Sequence, residues 1–161
     1  PTLRRQRQMC IRDRQYRVPL YQIVFHDEVI NSHHWHSDSL KFSNVQAERD
    51  LISMLYNTPP MVHLTRDEAS SPDSPRLKAL AHYQQGYTPM HEQLWDKQLT
   101  EFKWLDNSGL VQQTTFSDGS TITANFGSKP STHANTQIPA QSVLAQLSNG
   151  RQIKWQANPN Q

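Results

Sequence analysis

Two tight-turn signals restrict this chain more than any other feature. Ser117-Asp118-Gly119 separates the runs 110–116 and 120–126, and Asn149-Gly150 separates 142–147 and 151–155. Asp-Gly and Asn-Gly readily take the positive φ angles that hairpin turns demand. Upstream, Thr100, Phe102 and Trp104 alternate with polar neighbours, and Asn107-Ser108-Gly109 supplies a further turn. From about residue 99 the chain is therefore expected to be antiparallel β-structure. The stretch 128–139 reads as loop and 158–161 as a frayed end, and no internal repeat is visible.

The first half has a different grain. Val18-Pro19-Leu20-Tyr21-Gln22-Ile23-Val24-Phe25 is a short apolar run with its proline at the start, and it reads as a buried strand. Ser43-Asn44-Val45-Gln46 fits a capping box for a helix over about 44–56, with Leu51, Ile52 and Leu55 on one face. Asn57-Thr58-Pro59-Pro60 ends that helix, and Met61-Val62-His63-Leu64 reads as a second short buried strand. A polar loop is expected over 65–73. Ser74 with Pro75 opens another helix carrying Leu77, Leu80 and Ala81 inward, and Gly86 is placed as its C-terminal cap. The fold class expected is α/β followed by all-β, with a boundary near 92–98. Two units of parallel sheet cannot cover both of their faces, so the first half is expected to need sequence beyond this chain.

Composition narrows the partners. The formal charge of +2 and pI near 8.9 suggest a nucleic-acid binder. Six arginines within residues 1–17, set against Asp13 alone, account for that impression, and the remaining ten basic and thirteen acidic residues give 18–161 a net charge of −3. No nucleic-acid partner is expected. The Met9-Cys10-Ile11-Arg12-Asp13-Arg14 stretch resembles a translated adaptor, so residues 1–14 are expected to be non-native or disordered. Cys10 has no second cysteine to pair with. No apolar run approaches the roughly 18 residues of a membrane span.

Chemistry concentrates in 26–38. His26-Asp27-Glu28 and Asn31-Ser32-His33-His34-Trp35-His36-Ser37-Asp38 follow the apolar run, where α/β folds place their sites. An indole stacks on the apolar face of a pyranose while His and Asp bind its hydroxyls, so sugar binding is one reading and a solvated loop the other. Zinc is a third. His34 and His36 share a side if extended, and His33 or His26 could complete a set, but no ligand cluster follows downstream, and neither metal nor cofactor is expected. Asp27 and Glu28 point to opposite faces if the strand continues, so they do not make the carboxyl pair of a glycosidase. Asp27 reads as a substrate ligand, and no catalytic residue is assigned. His91 and Glu92 read as an exposed connector, and Trp95, Trp104 and Trp155 as packing residues. No nucleophile elbow or phosphate-binding glycine loop is present.

The 18–27 phrase ending in His26-Asp27, the downstream Trp35, the run Val111-Gln112-Gln113-Thr114-Thr115-Phe116-Ser117-Asp118-Gly119 and the triplet Asn125-Phe126-Gly127 together carry a resemblance. Over about 16–130 the chain resembles glycoside hydrolases related to endo-α-N-acetylgalactosaminidases. The resemblance implies a C-terminal fragment. Residues 15–95 would be the last strand-helix units of a (β/α)8-type catalytic barrel, and 96–161 part of an antiparallel β-sandwich. It implies retaining hydrolysis of a glycan substrate, secretion, and a catalytic carboxylate pair on earlier strands. By analogy His26 and Asp27 lie at the sugar-binding face and Trp35 in a loop over it; His34 is expected as a further substrate ligand from the polar cluster itself, not from the resemblance. Two alternatives stand beside it: a non-catalytic carbohydrate-binding or scaffold module, and a histidine-based zinc site.

Overall fold

The computed structural model describes residues 18–30, 46–60, 62 and 64–157. Among the described residues four helices lead into an antiparallel sheet. They are α1 (Leu20–Phe25), α2 (Gln46–Leu55), α3 (Arg66–Ser70) and α4 (Pro75–Leu94). The strands are β1 (Leu99–Trp104), β2 (Val111–Phe116), β3 (Thr121–Asn125), β4 (Ser131–His133), β5 (Thr136–Ile138), β6 (Ser142–Gln146) and β7 (Gln152–Gln156). Five strands form one sheet in the order β1-β2-β3-β6-β7, and β4 and β5 pair separately. Every pairing is antiparallel. The hairpins expected at Asp118-Gly119 and Asn149-Gly150 are both present, with Gly119 and Gly150 each at φ 84°.

The run 18–25 is a helix, not a strand. A short apolar run fits either element, and what decides is where its backbone polar groups find partners. Ile23 N–H donates to Pro19 O (2.9 Å) and His26 N–H to Gln22 O (3.1 Å), so a helix satisfies the segment internally where no described strand flanks it. Tyr21 and Phe25, four residues apart, bring their rings to 5.0 Å. The described residues of the second expected strand are not strand either. Val62 and Leu64 are exposed and unpaired in any sheet, while Met61 and His63 lie outside the described residues. The expected parallel pairing is thus replaced, among the described residues, by helices laid on one antiparallel sheet.

Helix α2 ends on Asn57, whose φ of 50° is the left-handed conformation of a Schellman terminus. Thr58 N–H reaches back to Ser53 O (2.9 Å) and Asn57 N–H to Met54 O (3.0 Å). The carbonyl of Leu55, left over by the helix, accepts the Thr114 hydroxyl of β2 at 2.7 Å. Its predicted capping box at Ser43 lies outside the described residues. The expected loop 65–73 contains α3, whose own capping box joins Thr65 and Glu68.

Gly86 does not cap α4. The helix runs on through it, and through Pro89, to Leu94. A Cβ at residue 86 would meet Cδ1 and Cγ of Trp155 at 2.6 Å, so the glycine is a notch that admits the indole of β7. Trp155 fills it, donating Nε1–H to His82 O (2.9 Å) and stacking on the His82 ring. The expected loop 128–139 holds the β4-β5 hairpin, turned by Ala134 (φ 46°) and Asn135 (φ 62°).

One core crosses the 92–98 junction. Leu51, Met54, Leu55, Tyr83, Tyr87, Met90 and Leu94 of the helices pack on Leu99, Phe116, Ile122, Val143 and Trp155 of the sheet. Trp155 is packed as expected, whereas Trp104 is 38% and Trp95 62% exposed. Trp104 sits at the end of edge strand β1, its ring edge-on to that of Phe102 with centres 5.0 Å apart.

Asp50 lies at the margin of this core beside Arg49 (3.2 Å), and burial pushes its carboxyl up to about 6, against the pull of the Arg49 charge. A raised carboxyl pKa favours the protonated folded form. Stability from this group is greatest below about pH 4 and falls as pH rises towards about 6, by up to ~3 kcal/mol. Denaturant unfolding between pH 4 and 7 is expected to show this decline, and Asp50→Asn to flatten it.

Candidate functional site

A pocket of about 240 Å³ opens where α1, the end of α2 and the end of α4 meet. Tyr21, Phe25 and Trp95 supply aromatic surface, His26, Asp27 and Glu28 follow α1, and Asn57 and His91 come from the other two elements. The volume lies just under the ~300–1,000 Å³ of drug-sized sites, which suits one small ligand.

Each polar wall has a local cause. His26 stands in the turn after α1, where Nδ1–H donates to Lys97 O at 2.6 Å and the ring meets Phe116 edge-on. Lys97 is not part of the lining, so this bond ties Nδ1 of the imidazole to a partner outside the pocket that the residue lines. His91 sits in the last turn of α4, stacked on Tyr87 with ring centres 4.9 Å apart. Its Nδ1–H is 3.4 Å from Asn57 Oδ1. Burial, and then the neighbouring His26, hold its pKa below the ordinary histidine value. Asn57 itself is 1% exposed, and its Nδ2 has no hydrogen-bond partner.

His26 and Asp27, expected at a sugar-binding face, both line this pocket. Trp35 and His34, with His33 and His36, lie outside the described residues. Among the described residues no group of three or more His, Cys, Asp or Glu side chains is placed to hold a metal ion. Asp27 and Glu28 occupy a turn rather than a strand, so the opposite-faces argument lapses and both reach the pocket. His91 is part of the pocket, not an exposed connector, and Trp95 lines it from its far side rather than packing in the core. Ending α4 at Gly86 hid both residues. The i, i+4 spacing of Tyr87 and His91 on a continued helix would have exposed the stack.

Residues 2–115 match the family described as glycosyl hydrolases related to GH101 family, GH129. The chain belongs to this glycosyl hydrolase family. The resemblance to this group of glycoside hydrolases is borne out by that match, which takes in 18–27 and Trp35 and ends at residue 115. Among solved structures, this GH129 chain is similar to the α-N-acetylgalactosaminidase NagBb from Bifidobacterium bifidum in its GalNAc complex, at 21% identity and a TM-score of 0.46, over 78% of this chain and 18% of that one. A quadruple mutant of NagBb matches at the same identity and TM-score, with 17% of its length covered. The chain thus spans under a fifth of the solved relatives. No curated protein matches. Among the described residues no helix is long and apolar enough to cross a membrane.

Proposed function

We propose that this chain supplies a sugar-binding wall of a larger glycosidase, while the catalytic carboxylate pair lies in sequence outside it. The observation that carries this reading is the apolar surface left open beside the pocket. Leu20 is 68% and Ile30 91% exposed, and Val18, Tyr21, Val24, Phe25 and Val29 are exposed with them. A self-contained binding module buries such a patch, whereas part of a larger enzyme offers it to the rest of the domain. Residues 15–95 then form the end of a catalytic barrel and 96–161 a portion of the following β-sandwich, and the core they share is the contact between the two. The substrate is a glycan outside the cell, and His26 and Asp27 bind its hydroxyls, with Trp35 and His34 contributing from the neighbouring segment.

Two measurements on this chain test the reading. Aryl glycosides of hexoses and N-acetylhexosamines are expected to bind but not to be hydrolysed. Asp27→Ala is expected to weaken binding by about tenfold, the usual loss of a charged hydrogen-bond partner, with little change in melting temperature because Asp27 is exposed. Hydrolysis that disappears with Asp27 would place a catalytic carboxylate inside the chain and sink the proposal.

A further inference from the structure

We propose that His91 is a ligand-binding residue of this pocket, presenting an unprotonated Nε2 to a monosaccharide hydroxyl, and that Asn57 is the positioning residue that holds the ring in that tautomer. The proposal rests on the sugar-binding reading above and adds two residues to it.

The tautomer follows from partner chemistry. A side-chain carbonyl oxygen accepts and cannot donate, so the contact between His91 Nδ1 and Asn57 Oδ1 requires the proton on Nδ1. A neutral ring with that proton placed has its lone pair at Nε2. Burial and the adjacent His26 favour the neutral form at pH 7. His26 is arranged alike, with Nδ1–H committed to Lys97 O. Neutral His91 therefore offers the pocket an acceptor, beside the side chains of His26, Asp27 and Glu28. An acceptor set in a largely apolar lining favours a ligand that carries hydroxyl donors on an apolar frame, which a pyranose ring does. Three aromatic side chains, Tyr21, Phe25 and Trp95, offer faces for its apolar side.

Asn57 shows what holds the arrangement. Its left-handed backbone is fixed by the helix terminus, independently of the side chain. The amide is buried with Nδ2 unpartnered, a cost that a turn residue facing solvent avoids. Glycine would form the same terminus without that cost. The side chain is thus explained by the bond that Oδ1 accepts from His91. At 3.4 Å that bond is long, as active-site hydrogen bonds often are before a ligand tightens them.

The test uses this chain, methyl hexopyranosides and methyl N-acetylhexosaminides as probes, and long-range ¹⁵N NMR of the histidine rings. Unliganded His91 is expected as the Nδ1–H tautomer, with its Nε2 resonance moving on titration. His91→Phe keeps a ring for Tyr87 and is expected to weaken binding at least tenfold, with His91→Gln, which restores an acceptor, recovering part of the loss. Asn57→Gly keeps the left-handed terminus. It is expected to leave stability equal or higher, to shift His91 towards the Nε2–H tautomer, and to weaken binding about threefold to tenfold. Sugar binding unchanged in both His91→Phe and Asn57→Gly overturns this inference and leaves the glycan reading standing. Failure of every probe to bind overturns both.

Discussion

Gly86→Ala is expected to destabilise the protein by about 2–3 kcal/mol, although helix propensity alone predicts a gain of ~1 kcal/mol. The new methyl would lie 2.6 Å from Cγ and Cδ1 and 2.8 Å from Cβ of Trp155. Those atoms are at the root of the side chain, so no swing about χ2 relieves the contact. The indole is buried, bonded to His82 O and stacked on His82, and so is held on its other sides as well. Either α4 lifts off β7 or the tryptophan leaves its rotamer, and both open the core. Thermal unfolding is expected to fall by about 5–10 °C. Trp155→Ala in the Gly86→Ala background should recover none of the stability through packing, but the added cost of the alanine at 86 should vanish in it. A double-mutant cycle between the two positions measures that coupling. An unchanged or raised melting temperature for Gly86→Ala alone would contradict the notch.

Asn125→Ala is expected to cost about 3 kcal/mol. The Nδ2 group of this 1%-exposed residue donates to the carbonyls of Lys129, Ile138 and Pro139 at 2.9–3.2 Å, while Oδ1 accepts from Gly127 N–H at 2.8 Å. One amide thus satisfies both ends of the excursion that carries β4 and β5. Removing it strands several polar groups at once, each costing ~1–3 kcal/mol until water reaches them. Asn125→Asp keeps the bond to Gly127 but turns a carboxylate on three carbonyl oxygens. Its loss is therefore expected to be larger at pH 7 than at pH 4, where the protonated acid can donate once. Hydrogen exchange should show opening confined to 126–140, with β2 and β3 still protected.

The second half of the chain was the legible half, because its turns are written in glycine. Asp118-Gly119 and Asn149-Gly150 supply the required positive φ openly, and strands of period two follow from them. The β4-β5 hairpin escaped notice because Ala134 stands in the left-handed region, where no propensity predicts an alanine. In the first half, 18–25 misled because an eight-residue apolar run has no period of its own. Its helical state goes with the lack of a flanking strand among the described residues, which is a tertiary fact. Gly86 misled for a related reason, since a glycine at a helix end and a glycine under an indole look the same until Trp155 is brought to it from 69 positions away. The candidate site shared both fates. His26 and Asp27 were readable from their density of polar chemistry, whereas Asn57 and His91 meet only after α2 and α4 have been laid against each other.

The same indole orders events in time. β1, β2 and β3 are joined by short turns and can zip as a meander with little loop-closure cost. Helix α4 can form early, but its groove at residue 86 stays empty until β7, the last strand of the sheet to leave the ribosome, delivers Trp155. Docking of the helix that carries His91 therefore belongs to the late, non-local phase of folding. During synthesis the pocket cannot take its final shape while the meander stands alone.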